Sequence, residues 1–160
     1  MESMQINIAE LTADPKRIAG EMEPEVFDFE DVEDIKAVLP LRFALSLQVL
    51  GTEFLVQGSV EADVGLDCVR CGEFFSTTLA DSSFLRGYEI EEGVDSINIA
   101  PDIRESIVLS LPNFPLCSEA CKGLCPICGK NLNKETCQCE EPEEESPWDA
   151  LDSLDLSKND

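Results

Sequence analysis

LRFALSLQVLGTEFLVQGSVEADVGLDCVRC, residues 41–71, decides the fold. Leu41, Phe43, Leu45, Leu47 and Val49 alternate with Arg42, Ala44, Ser46 and Gln48. Successive side chains on a strand point to opposite faces, so a period of two predicts a half-buried strand. Gly51-Thr52 marks a turn. Phe54, Val56, Val60, Val64 and Leu66 then share one parity, and Glu53, Gln57, Glu61 and Asp63 take the other. The two runs predict a long antiparallel hairpin with one buried face. Cys68 and Cys71 close its second strand. Glu73 to Ala80 reads as a third, which places Cys68-Val69-Arg70-Cys71-Gly72 at the tight turn between strands.

Working outward, Met4, Ile6 and Ile8 predict a short strand near the start. Asp14-Pro15 predicts a helical turn running to Met22. Glu21 to Asp34 is strongly acidic around Val26, Phe27 and Phe29 and reads as an irregular or edge segment. Gly87 to Ile99 reads as a connection. Pro101-Asp102 predicts a helix start, since proline suits the first turn and aspartate favours its positive end. Ile103, Ile107 and Leu111 are spaced to share one face, Pro112 and Pro115 end the helix, and that face is expected to pack on the hairpin. The fold class expected is α+β, an antiparallel β-sheet with one main packed helix and all-cysteine zinc-knuckle sites. Three parts are expected: 1–116, β-rich with the first cysteine pair; 117–139, cysteine-rich and packed on it; and 140–160, an acidic tail. In that tail Trp148, Leu151 and Leu154 have helical spacing and read either as a docked short helix or as a partner-binding motif.

Eight cysteines fall into close pairs, Cys68/Cys71, Cys117/Cys121, Cys125/Cys128 and Cys137/Cys139, and the chain has no histidine. Eight thiolates in four pairs is the donor count of two tetrahedral all-sulfur zinc sites. Cys125-Pro126-Ile127-Cys128-Gly129 is the most specific motif: proline shapes the turn and glycine permits a positive φ after the second ligand. Cys137-Gln138-Cys139 returns after a short loop, so Cys125, Cys128, Cys137 and Cys139 group as one site and Cys68, Cys71, Cys117 and Cys121 as the other. Four pairs divide into two sites in three ways, and the other two pairings stay open. An iron–sulfur cluster on the dense run from Cys117 to Cys128 is the rival metal reading, although the spacing departs from the ferredoxin pattern. A redox couple at Cys68/Cys71 lacks the strand-to-helix setting that lowers a thiol pKa. Without histidine no Ser–His or Cys–His couple exists, so no catalytic residue is assigned and the chain is read as a non-enzyme with no small-molecule substrate.

The formal net charge is −23, from 34 acidic and 11 basic residues. Such a surface repels phosphates and favours basic partners. Lys122, Lys130 and Lys134 concentrate positive charge inside the cysteine segment and are the candidates for RNA contact. The sequence has no long uncharged apolar run, so no membrane partner is expected. The start has no signal-like pattern, and the compartment expected is the cytoplasm, where reduced thiols favour metal ligation over disulfides.

The run Leu109-Ser-Leu-Pro112, then Pro115 through Cys117, Cys121, Cys125, Cys128 and Asn133, then Cys137-Gln-Cys139, resembles the YceD-like family. Its members are described as large ribosomal RNA subunit accumulation proteins. Cys68-Val69-Arg70-Cys71 at a strand end is similar to the family's first cysteine pair. The resemblance covers roughly residues 41–154. It implies a bacterial or plastid protein needed for large-subunit ribosomal RNA to accumulate or be processed, with a gene often beside that of a small zinc-ribbon ribosomal protein. Where the family reads Asp-Pro-Arg, this chain has Ser146-Pro147-Trp148, so a contact made by that arginine is lost or replaced. Combined with the charge, the expected partner is a basic ribosomal protein, with the small zinc-ribbon one a candidate; the alternative is a large-subunit ribosomal RNA precursor bound by the cysteine-rich segment.

Overall fold

A computed structural model describes residues 4–26, 29 and 35–139. The chain divides into two compact units, Met1–Cys121 and Lys122–Asp160. In chain order the first unit carries β1 (Gln5–Asn7), a 3-10 turn (Ile8–Glu10), β2 (Lys16–Met22), a second such turn (Pro24–Val26) and β3 (Ala37–Val38). There follow β4 (Leu41–Leu50), β5 (Glu53–Asp67), β6 (Phe74–Glu89), β7 (Ser96–Asn98) and α1 (Ala100–Leu109). Among the described residues the fold is mostly antiparallel sheet with one helix, as expected.

The predicted hairpin is the centre of the sheet. β4 pairs with β5 from Arg42↔Glu61 to Leu50↔Glu53, and β5 pairs with β6 from Glu53↔Glu89 to Asp67↔Phe74. β6 follows one edge of β5; β4 and then β3 follow the other, and β2 lies outside β4. The apolar parity is the buried one: Leu41, Leu45, Leu47, Phe54, Val56, Val60, Val64 and Leu66 are each at most 2% exposed. Met4 and Ile8 flank β1, which pairs with β7 and adds both to the same core.

Two expectations fail. Residues 14–22 are no helical turn; Lys16–Met22 is strand β2, in register with β4 from Lys16↔Leu47 to Met22↔Leu41. Ile18 and Met22 are half-buried on one parity, and the middle position of that parity is Gly20, which lies over the Phe43 ring. A missing side chain there hides the period of two, and tertiary pairing overrides the Pro15 signal. Nor is Gly87 to Ile99 all connection. β6 runs on to Glu89 because β5 offers an edge of equal length, and Tyr88 stacks on Phe54 with ring centroids 5.6 Å apart. Ser96–Asn98 then forms β7. Part of the acidic 21–34 segment and the Trp148, Leu151, Leu154 motif lie outside the described residues.

α1 starts as expected, with Pro101 in its first turn and Asp102 beside its positive end. Ile103 and Ile107 are fully buried against the sheet. Leu111 lies past the helix end, which closes at Ser110 before Pro112. Polar ties hold α1 to β6. Tyr88 Oη donates to Asp102 Oδ2 at 2.6 Å, and Arg86 lies 3.5 Å from both Asp102 and Glu105. Burial and the Asp102 carboxylate push the Tyr88 phenol well above its ordinary value, so it stays a donor.

Ser106, 4% exposed, donates to Asp81 Oδ2 at 2.7 Å, and Ser83 donates twice more to Oδ1. The Ser106 hydroxyl, then the Ser83 donors and Arg86, hold the Asp81 carboxyl below its ordinary 3.8. Ser106→Ala is expected to cost about 1 kcal/mol, because the bond is lost while Ser83 still satisfies the carboxylate. A depressed carboxyl contributes in full above its unfolded pKa and loses that contribution as pH falls through the lower folded value. The penalty should therefore be constant from neutral pH to about 4 and shrink below it. Urea unfolding of both proteins from pH 7 to 3 reads this; a penalty that grows in acid contradicts it. Among the described residues no helix is long and apolar enough to cross a membrane.

Candidate metal centres

The turn from β5 to β6 is shaped by its own backbone. Cys68 N–H donates to the Glu73 carbonyl at 2.9 Å, and Gly72 N–H donates to the Cys68 carbonyl at 2.8 Å. Gly72 has φ +67°, left-handed backbone that a side chain would strain. The second unit repeats this pattern residue for residue. Cys125 N–H donates to the Lys130 carbonyl at 2.8 Å, Gly129 N–H donates to the Cys125 carbonyl at 2.9 Å, and Gly129 has φ +71°. C-x-x-C-G thus builds the same knuckle twice. In each, backbone amides point at the first sulfur. The N–H groups of Cys117, Cys71 and Arg70 bring Cys68 down to about 6. Those of Cys128 and Ile127 bring Cys125 to about 6.

The other sulfurs come from loops. Val69 N–H donates to the Pro115 carbonyl at 2.9 Å, and Arg70 Nη1 donates to the Cys121 carbonyl at 3.0 Å. These bonds dock the segment after α1 on the first knuckle. The sequence reading did not single out Arg70, although an arginine inside a thiolate pair was a signal for such a tie. In the second unit Leu124 bridges to Asn131, and Leu132 N–H donates to the Gly123 carbonyl at 2.9 Å. Asn133 Oδ1 accepts from Lys122 N–H at 2.8 Å, and Asn131 Oδ1 accepts from Asn133 N–H at 3.0 Å. The asparagines in this loop therefore fix the turn that returns the chain to Cys137 and Cys139.

The result is two groups of four sulfurs, Cys68, Cys71, Cys117, Cys121 and Cys125, Cys128, Cys137, Cys139, each with all sulfurs within 4.8 Å of one another. This is the grouping preferred from the sequence. Cys68 and Cys121 Sγ are 3.8 Å apart, as are Cys71 and Cys117 Sγ. A tetrahedral ion with metal–sulfur bonds of about 2.3 Å separates its ligands by about 3.8 Å. A disulfide would need about 2.05 Å, and all eight cysteines are free thiols. The dense Cys117–Cys128 run that suggested an iron–sulfur cluster is divided between the two groups. A multi-iron cluster divides its four cysteines among two or more irons, which spreads the sulfurs farther than a single ion does.

Electrostatics agree with a cation at each centre. Withdrawal from water, then the crowding of Cys121, Cys68 and Cys71, pushes Cys117 up to about 12. Cys128, burial and Cys125 push Cys139 up to about 12. Cys71 is also raised: the Glu73 amide pulls it down, but burial and the Cys68 and Cys121 thiols outweigh it. Interacting thiols ionise in steps, so the first proton leaves readily and the last only with a positive charge between them. The all-sulfur donor set, its spacing and this demand fit a tetrahedral thiophilic ion. Cys68, Cys71 and Cys121 are buried and Cys117 is exposed; in the second group only Cys125 is buried.

The three lysines all lie in the second unit and are exposed. Lys130 Nζ is 3.7 Å from Glu135 Oε2, which offsets its charge.

A family model described as "Large ribosomal RNA subunit accumulation protein YceD" matches residues 86–155. That stretch spans the end of β6, β7, α1 and three of the cysteine pairs; Cys68/Cys71 precedes it. A curated relative, "Large ribosomal RNA subunit accumulation protein YCED homolog 1, chloroplastic" from Arabidopsis thaliana, is 27% identical over 165 residues, covering 78% of this chain and 51% of the relative. The chain thus spans about half the length of the curated relative it matches. No solved structure matches the chain. The chain is similar to the YceD family, and the resemblance read from its cysteine segment is borne out by both comparisons.

Proposed function

We propose that this chain is a non-enzymatic cytoplasmic factor in large ribosomal subunit biogenesis. In this reading it holds one zinc ion in each cysteine group and supports accumulation or processing of large-subunit ribosomal RNA by binding a basic ribosomal protein. The observation that carries the reading is the coincidence of two findings: the stretch similar to a ribosomal RNA accumulation family contains six of the eight sulfurs gathered into tetrahedral spacing. Zinc suits a closed four-sulfur donor set with no redox role; when bound, it cross-links the chain and leaves no open position for chemistry.

Charge favours the basic protein over RNA. At −23 the chain attracts a basic protein at long range and repels RNA phosphates. The lysines that would contact RNA number three, and Lys130 is already paired with Glu135. With about three phosphate contacts the salt-dependent term for RNA is small against that background.

A tagged pull-down from native lysate, with and without ribonuclease, tests this. A basic ribosomal protein should remain after ribonuclease and leave as salt is raised toward about 1 M, where the screening length falls to about 3 Å. Charge reversal at Lys122, Lys130 and Lys134 should leave it bound or tighten it. Retention of precursor RNA alone, with all protein lost on ribonuclease and the RNA lost on charge reversal, makes the cysteine segment an RNA reader instead.

A further inference from the structure

The first unit has a groove of about 640 Å³ beside its knuckle, with Cys68 in its lining. Val69, Val108, Leu109, Leu111, Pro112 and Pro115 wall it. Its rim carries large apolar side chains in the open: Leu109 is 73% exposed, Val69 56%, and Phe114, between two lining residues, 78%. Large apolar side chains left exposed together mark interaction sites. The walls are fixed in place, because the Val69 amide is bonded to the Pro115 carbonyl and Ser110 closes the helix. A preformed groove loses little entropy on binding.

The electrostatics of the groove select its occupant. The C-terminal end of α1 opens into it, with no basic residue in the last turn, so the negative end of the helix dipole is uncompensated there. Asp67, an exposed carboxylate, also lines the groove, and the lining cation Lys36 already has a partner. When the cysteine group behind Val69 holds its ion, four thiolates on a dication add two further negative charges.

We infer that this groove docks an extended basic polypeptide segment, its apolar side chains seated between Val69 and Leu109 and its cations over Asp67 and the helix end. The inference rests on the reading that the partner is a basic protein, and names where that protein is held.

The test uses the full metal-loaded chain and labelled ten-residue peptides alternating Lys or Arg with Leu. One control peptide replaces Leu with Ser; another replaces the basic residues with Glu. The alternating peptide should bind, and each control should bind at least about tenfold more weakly, the ratio that about 1.4 kcal/mol represents. Leu109→Ser and Val69→Ser together should weaken the alternating peptide by about tenfold or more and leave the Ser control peptide unchanged. Both side chains are largely exposed, so melting and metal content should not move; Phe114→Ser alone is the second variant should the pair disturb the knuckle. Equal binding of the alternating peptide and either control, no binding of it, or indifference to both variants overturns the inference. So does a dimer, seen by light scattering, that the double variant splits, which would give the groove to a second copy. If the double variant still retains a basic ribosomal protein after ribonuclease, the groove is wrong and the functional reading stands; if wild type retains none, that reading fails first.

Discussion

Chelation is expected to strip two metal ions from the purified chain and to unfold residues 122–139, while the sheet stays folded. The expected asymmetry follows from what each unit buries. In the described part of the second unit, Cys125 is the one buried side chain, and Leu124 and Ile127 are 45% and 51% exposed. A segment of that length cannot hold itself by burial. Structural zinc contributes about 10–16 kcal/mol in small finger peptides, as much as the whole stability of many domains, so its removal leaves nothing to oppose chain entropy. The first unit differs. Eleven large side chains, Phe54, Phe84 and Ile103 among them, are less than 2% exposed. Each contributes roughly 1.5–3 kcal/mol, enough to keep β4, β5, β6 and α1 packed when Cys68, Cys71, Cys117 and Cys121 are empty-handed. Amide hydrogen exchange with and without chelator measures this directly, with metal content read by atomic emission. Cys125→Ser should halve the metal content and abolish protection in 122–139 alone. Protection that survives complete metal removal there would refute the metal reading.

Gly58→Ala should destabilise the first unit by about 4 kcal/mol, the upper end for a single methyl group. A Cβ at Gly58 would lie 2.1 Å from the Ala44 carbonyl oxygen, 2.9 Å from Leu45 Cα and 3.0 Å from the Ala44 carbonyl carbon. All three atoms are backbone of β4, so no rotamer change relieves the clash. Strands in a ladder sit about 4.8 Å apart, and moving β4 away breaks the pairing of Leu45 with Gly58 and its neighbours. The site is also the bulge of the sheet: Gly58 pairs with Phe84 and Val60 with Asp81, so Ser82 and Ser83 of β6 face Ser59 alone. The bulge turns Phe84 into the core on one side and Asp81 toward Ser106 on the other. Urea unfolding of the two proteins, with unchanged slope, gives the difference. A cost under about 1 kcal/mol would mean the close approach of β4 and β5 is not required.

Much of the candidate site was legible because its chemistry is local. A knuckle is built from residues within one turn, so C-x-x-C-G announces the glycine geometry found at Gly72 and Gly129. The short loop from Cys128 to Cys137 favoured the second group for the same reason. The first group was harder, since Cys121 lies four residues from both Cys117 and Cys125. Only the docking of Pro115 on Val69 and of the Cys121 carbonyl on Arg70 assigns them to Cys68 and Cys71. In the sheet, β4 and β5 were read from alternation, whereas β2 was misread because Gly20 erases the pattern, and the far half of β6 was missed.

By itself the sequence determined the central hairpin, the buried face of α1, the two knuckles and the acidity that favours a basic partner. These follow from period, turn chemistry and charge, which act between near neighbours or over the whole chain. The tertiary structure decided that β2 is a strand, that β6 runs the full length of β5, which loop sulfurs join which knuckle, and that a groove opens between α1 and the first knuckle. Each of those depends on an edge, a sulfur pair or a wall supplied from far along the chain, so the free energy that selects it exists only once the distant segments meet.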